Sequence, residues 1–206
     1  MGTINQPRPV LDVSRTPTVV FGHRAIIWWG QWGLMLIEGT MFAIFIATYF
    51  FFRTRDADWP PGFSLPALKW GTINLAILIL SAIPNQWLKK RAEKGELAPV
   101  RLGLIVMSVI GIVNCVIRAL EFPSLNCVWD GNAYGSATWT LIGFHTFHLV
   151  TDTADTIILT FATFFTPIEG RRYEDVSVNA MYWYFIIVTW IATYLVIYWA
   201  PRWLHA

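Results

Sequence analysis

The chain has 206 residues, of which 55% are hydrophobic and only 14% charged, with a net charge of +2. A soluble domain carries about a quarter charged residues, so this composition excludes an ordinary soluble domain. The near-neutral charge, with no basic stripe beside an aromatic platform, excludes nucleic acid as a partner.

In chain order, residues 1–25 are polar and contain proline. They lack the apolar core of a signal peptide and the Arg/Ser-rich character of a transit peptide. They are read as a cytoplasmic tail, and the helix that follows as the insertion signal. A helix needs roughly 20 mostly apolar residues to cross ~30 Å of hydrocarbon. Five segments meet that length: Ile26–Phe52, Trp70–Leu88, Leu102–Leu120, Ala137–Phe165 and Met181–Ala200. Between them lie Trp59-Pro60-Pro61-Gly62, Lys89 to Arg101, Phe122 to Gly135, and Thr166-Pro167 to Asn179, all with the punctuation of loops. The expected fold is therefore all-α, a polytopic bundle of five transmembrane helices forming one unit over residues 1–206. Trp28, Trp29 and Trp32 at one end, and Trp199 and Trp203 at the other, read as interfacial belts.

Basic residues set the orientation. Arg8, Arg15, Arg24, Lys89, Lys90, Arg91, Lys94, Arg101, Arg171 and Arg172 fall on one side; Arg53, Arg55, Lys69 and Arg202 fall on the other. The first set marks the cytoplasm, which puts the N-terminus inside and the C-terminus outside.

Ionisable residues within spans are costly and face a protein interior or a cavity. Glu38 sits in the middle of the first span, and Arg118 and Glu121 lie toward the outer end of the third. The fourth carries His145, His148, Asp152 and Asp155 on one helical stripe. At 1.5 Å per residue these groups fall in one broad layer, and two contacts are expected: Glu38 with His148, and Arg118 with Asp152. The stripe is open to three readings: buried pairs that hold the bundle together, a water or proton route, or a contact for lipid headgroups. Arg171 and Arg172 are positive-inside residues and candidates for anionic headgroups. His145 and His148 share one helix face and cannot ligate opposite sides of one haem. His23 and His205 lie at the wrong depth, and Cys115 and Cys127 lack thiolate-site spacing. No haem or metal site is expected.

The runs Tyr134-Gly135-Ser136 and Gly143-Phe144-His145-Thr146-Phe147-His148 resemble the cytochrome c oxidase subunit III family. Further fragments line up in order: Glu38 with Met41-Phe42 and Tyr49-Phe50-Phe51, Ile73-Asn74 through Ser81, Glu121-Phe122, Tyr182-Trp183 through Trp190, and Tyr198-Trp199. The chain departs from the family at Thr146 and Asp152, where glycine is usual, and at Tyr184 and Ile187, where His and Asp are usual. It resembles a divergent five-helix bacterial branch. The resemblance implies a subunit III without haem or copper of its own, those cofactors residing in partner subunits. It implies docking on subunit I, a complex that also holds subunit II and meets cytochrome c, structural phospholipid in a cleft between helices, and support of proton uptake. The family's Glu and its paired His match Glu38 and His148. The same family includes third subunits of quinol oxidases and accessory proteins of nitric oxide reductase. A small proton or solute transporter is the alternative from a different class, but no inverted repeat or broken helix is evident.

Overall fold

The computed structural model describes residues 19–56, 59, 60, 62, 65–165 and 170–203. Arg8, Arg15, Pro61, Thr166, Pro167 and His205 lie outside the described residues. The described chain forms long helices α1 (Ile26–Arg53), α2 (Leu68–Glu93), α3 (Leu97–Glu121), α4 (Ala133–Phe165) and α5 (Gly170–Tyr194). A 3-10 turn, Phe122–Leu125, extends α3; α5 runs on through a π-helical stretch, Leu195–Trp199, into Ala200–Trp203.

Helices overrun the apolar segments on one side of the bundle. α2 continues to Glu93, α3 begins at Leu97 and α5 begins at Gly170, so most of the expected loops over Lys89–Arg101 and the described part of Thr166–Asn179 are helical. Apolar length locates only the part of a helix that hydrocarbon would cover. The polar turns beyond it are held by their own contacts: Arg91 pairs with Glu96 at 2.6 Å, and Ser177 donates to Glu93 at 3.2 Å. Arg101, in the second turn of α3, donates to the Thr163 carbonyl near the end of α4 from both Nε (2.9 Å) and Nη2 (2.5 Å). A cation on the last carbonyls of a helix satisfies orphan acceptors and opposes the negative end of the dipole.

Four helical stretches are long and apolar enough to cross a membrane: Ile26–Arg53, Leu68–Glu93, Leu97–Leu125 and Gly170–Trp203. α4, with 33 residues, is longer than it needs to be, but its His, Asp and Thr residues dilute its hydropathy. It packs against α3, α5 and α1, while α2 packs against α3 and α5. Helices α2 to α5 thus close a four-helix ring, and α1 lies outside it against α4 and α5. The seam of α1 is narrow: its buried residues Met35, Phe42 and Tyr49 recur every seventh position.

The polarity of the bundle is inverted relative to a soluble protein. Leu36, Ile37 and Ile44 of α1 and Leu102, Val109, Val113 and Val116 of α3 face outward, whereas Asn74, Asn85, Asn114, Arg118, Glu121 and His145 are buried. Bundles solvated by lipid have this arrangement. Small residues bring the helices together. A Cβ on Gly111 would lie 2.6 Å from Thr153 Oγ1, and one on Gly71 would lie 2.6 Å from Tyr198 Cζ. At the opposite end, Trp59 is buried against Tyr49 and Tyr134, each ring centroid 5.1 Å away. Arg202 donates to the Pro66 carbonyl at 2.6 Å and also to the Tyr198 carbonyl, tying the α1–α2 connection to the end of α5.

Candidate functional site

The expected polar layer resolves into two separate clusters. The upper one joins α2, α3, α4 and α5. Arg118, 1% exposed, donates from Nη1 to Glu121 Oε2 at 2.8 Å and from Nη2 to His145 Nδ1 at 3.1 Å. Its guanidinium lies 3.5 Å from the Trp190 ring centroid. Glu121 accepts two more hydrogen bonds: Asn74 Nδ2 donates to Oε2 at 3.1 Å and the Tyr198 hydroxyl to Oε1 at 2.6 Å. His145 Nε2 stands 3.0 Å from the Ile186 carbonyl, which only accepts. Nε2 therefore carries the proton, Nδ1 accepts from Arg118, and the imidazole is neutral. Every charge in this cluster is matched, which is the signature of a structural joint.

Arg118 consequently does not pair with Asp152, contrary to expectation. Glu121 lies one turn away on the same helix, and His145, not His148, shares the level of Arg118. Asp152 lies seven residues along α4 from His145, about 10 Å on a helical rise.

The lower cluster joins α1, α4 and α5. His148 Nε2 lies 3.5 Å from Glu38 Oε1, so the expected Glu38–His148 contact is present, at ion-pair rather than short hydrogen-bond distance. The Tyr182 hydroxyl donates to Glu38 Oε2 at 2.7 Å. His148 Nδ1 donates to the Phe144 carbonyl at 2.7 Å. With Nδ1 so committed, Nε2 is the ring nitrogen left to face the Glu38 carboxyl. Phe42 and Phe144 cover the imidazole, with centroids 5.4 and 4.5 Å away.

Below this pair, Asn179 bridges two carboxylates: its Nδ2 donates to Asp152 Oδ1 at 3.0 Å and to Asp155 Oδ2 at 3.3 Å, while its Oδ1 accepts from Thr156 at 3.2 Å. His145, His148 and Asp152 are buried, as the stripe implies, and Asp155 opens outward. Glu38, Asp152, Asp155, Asp175, Asn179 and Tyr182 line a cleft of about 480 Å³ between α1, α4 and α5. On the other flank of α1, Trp32, Met35, Gly39, Ala43, Met181 and Phe185 are among the residues lining an apolar groove of about 550 Å³ against α5.

Arg171 is exposed and Arg172 half-buried in the first turn of α5, where the helix dipole is already positive. Among the described residues, no group of three or more His, Cys, Asp and Glu side chains could hold a metal ion. Sequence reasoning missed Tyr182, Asn179, Asn74 and Tyr198. Asn179 fell in a presumed loop. The others are uncharged, and only their helical register, three or seven residues from a buried neighbour, marks them as inward-facing.

Residues 10–202 match the family model for cytochrome c oxidase subunit III. Among similar curated proteins are three named cytochrome c oxidase subunit 3. That of Lumbricus terrestris is 25% identical over 91% of this chain and 77% of its own length. Those of Drosophila melanogaster (24%) and Mus musculus (25%) each align over 91% of this chain and 76% of their own lengths. With the match running through all five long helices and both polar clusters, the chain belongs to the cytochrome c oxidase subunit III family, membrane proteins that form part of an oxidoreductase complex.

Proposed function

We propose that this chain is the non-catalytic third subunit of a haem–copper terminal oxidase of aerobic respiration, in a bacterial cytoplasmic membrane. It crosses that membrane five times as one unit, with residues 1–25 in the cytoplasm and the C-terminus outside. It docks directly on subunit I, in a complex that includes subunit II and draws electrons from cytochrome c. Haem and copper belong to those partners; this chain contributes structural phospholipid and steadies subunit I and its proton uptake.

The observation that carries this reading is the partly buried Tyr182–Glu38–His148 contact, built on the residues that match the family's Glu and His. α4 is long enough to span, at about 50 Å for its 33 residues, and its polar stripe turns inward, which supports counting it as the fifth crossing. The apolar groove between α1 and α5 supports an acyl-chain seat. Arg171 and Arg172 lie about 15 Å along α5 from that groove, a headgroup's distance on the cytoplasmic side.

The test is turnover lifetime. A complex carrying Glu38→Ala is expected to assemble, start at wild-type rate, and then lose phospholipid or inactivate sooner than wild type during sustained oxygen reduction. Unchanged lipid content together with unchanged lifetime would remove Glu38 from any functional role.

A further inference from the structure

Cations gather at one place that the joints of the bundle do not use. The C-terminal end of α2 and the turn after it carry Lys89, Lys90, Arg91 and Lys94 against Glu93 and Glu96. Arg91 is engaged with Glu96, and Glu93 accepts from Ser177. Lys89, Lys90 and Lys94 have neither an ion pair nor a hydrogen bond among the described residues. The helix dipole favours a cation at this end wherever its side chain lies, so the register of these lysines is the informative feature.

Leu80, Ile83, Trp87, Lys90 and Lys94 recur every three or four residues and are all exposed, which puts them on one outward stripe of α2. Lys69, exposed at the other end of the helix, lies about 31 Å of helical rise from Lys90, the thickness of a hydrocarbon core. Each end also sets a cation over an indole. Lys69 Nζ is 5.0 Å from the Trp70 ring centroid, and the Arg91 guanidinium is 5.7 Å from that of Trp87. Indoles settle at headgroup level. Lys90 and Lys94 therefore stand in line with a column of lipid, just above its apolar part.

The backbone that carries them is fixed. Gly95, at φ +70°, caps α2: its N–H donates to the Ala92 carbonyl at 2.9 Å, and the Glu96 N–H to the Arg91 carbonyl at 3.2 Å. A capped helix lowers the ordering cost of binding relative to a loop. Lys and Arg clustered immediately beyond a spanning helix attract anionic lipid. A zwitterionic headgroup brings its own cation to the same three lysines and gains less.

We propose that the outward face of α2 at its C-terminal end, Trp87 with Lys89, Lys90 and Lys94, seats the headgroup of an anionic phospholipid whose acyl chains lie along Leu80 and Ile83. This seat is distinct from the apolar groove between α1 and α5. It rests on the membrane-spanning reading put forward above and not on the identity of the oxidase partner.

The test keeps the chain in its own membranes. Benzoylphenylalanine replaces Ile83, exposed one turn below Trp87, the cells are irradiated, and adducts of the tagged chain are identified by mass. The expected adducts are phospholipids, with anionic species enriched at least about threefold over their share of the total lipid extract. The triple variant Lys89→Gln/Lys90→Gln/Lys94→Gln should return to that share, and the corresponding arginine triple should keep the enrichment. Should the glutamine triple fail to accumulate, Lys90→Gln and Lys94→Gln singly are each expected to lower the enrichment partway. Anionic lipid at its bulk share in the chain with native lysines overturns the seat, and so does enrichment that survives the glutamine variants. An adduct to another protein overturns it as well and assigns this face to a partner subunit. Benzoylphenylalanine at Val109, exposed on α3, separates the remaining outcomes. Lipid adducts there but not at Ile83 overturn the seat alone; none at either position overturns the membrane-spanning reading with it.

Discussion

At the residue scale, the decisive feature is a buried carboxylate with both oxygens satisfied. Glu121 neutralises Arg118 and is braced by Tyr198 and Asn74. Removing one member of such a buried pair leaves an uncompensated charge, typically a loss of 3–5 kcal/mol, whereas replacing both with apolar groups is often close to neutral. Glu121→Gln is therefore expected to destabilise the chain by about 3 kcal/mol in a mixed-micelle unfolding titration. The double variant Arg118→Met/Glu121→Leu should recover much of that loss. A double variant as unstable as the sum of its singles would show that the pair does not act as a unit. Outside the spans, burial pushes the Cys127 thiol up to about 11. Thiolate is the nucleophile, so alkylation by iodoacetamide should stay slow near pH 8.5, where an ordinary thiol is half ionised, and accelerate only as the pH approaches 11. Rapid labelling at pH 8.5 would contradict the buried setting of Cys127.

At the element scale, the bundle depends on small residues where helices cross. Gly111 of α3 faces Thr153 of α4 so closely that a Cβ would stand 2.6 Å from Thr153 Oγ1 and 2.8 Å from Cγ2. Gly111→Ala should cost about 1–3 kcal/mol by overpacking, and adding Thr153→Ala should restore most of it; no rescue would mean that the strain lies in the backbone. The five long helices themselves were legible in the sequence, because apolar runs of spanning length leave little alternative. Their ends were not, since the turns from Lys89 to Glu93 and from Gly170 to Ala180 are polar and are held by tertiary contacts such as Ser177–Glu93. The stripe on α4 placed His145, His148 and Asp152 inward, and depth alone brought Glu38 to His148. Depth failed for Arg118, because a partner one turn away on its own helix outcompetes one at a similar estimated height. Trp59 was read as loop punctuation, but it packs between Tyr49 and Tyr134, a role no local signal carries.

At the scale of the whole molecule, α2 to α5 form a ring with matched charges at its core, and α1 closes over two unlike spaces, one acidic and one apolar. That arrangement suits a subunit whose work lies at its flanks. The proposed orientation rests on the distribution of Lys and Arg and is open to direct measurement. In a Cys127→Ser background, a membrane-impermeant maleimide applied to intact cells should label Gly131→Cys and spare Lys94→Cys. The reverse pattern would invert the topology.

The central claim, a third subunit without redox centres of its own on a haem–copper core, is tested most directly by isolating the tagged chain from its native membranes in mild detergent. Its visible spectrum, oxygen consumption and protein partners would then be recorded together. The account predicts co-purifying haem-bearing large subunits with cyanide-sensitive oxygen reduction, and a colourless chain once those partners are stripped away. A chain that comes out colourless and alone from membranes that retain oxidase activity would contradict it.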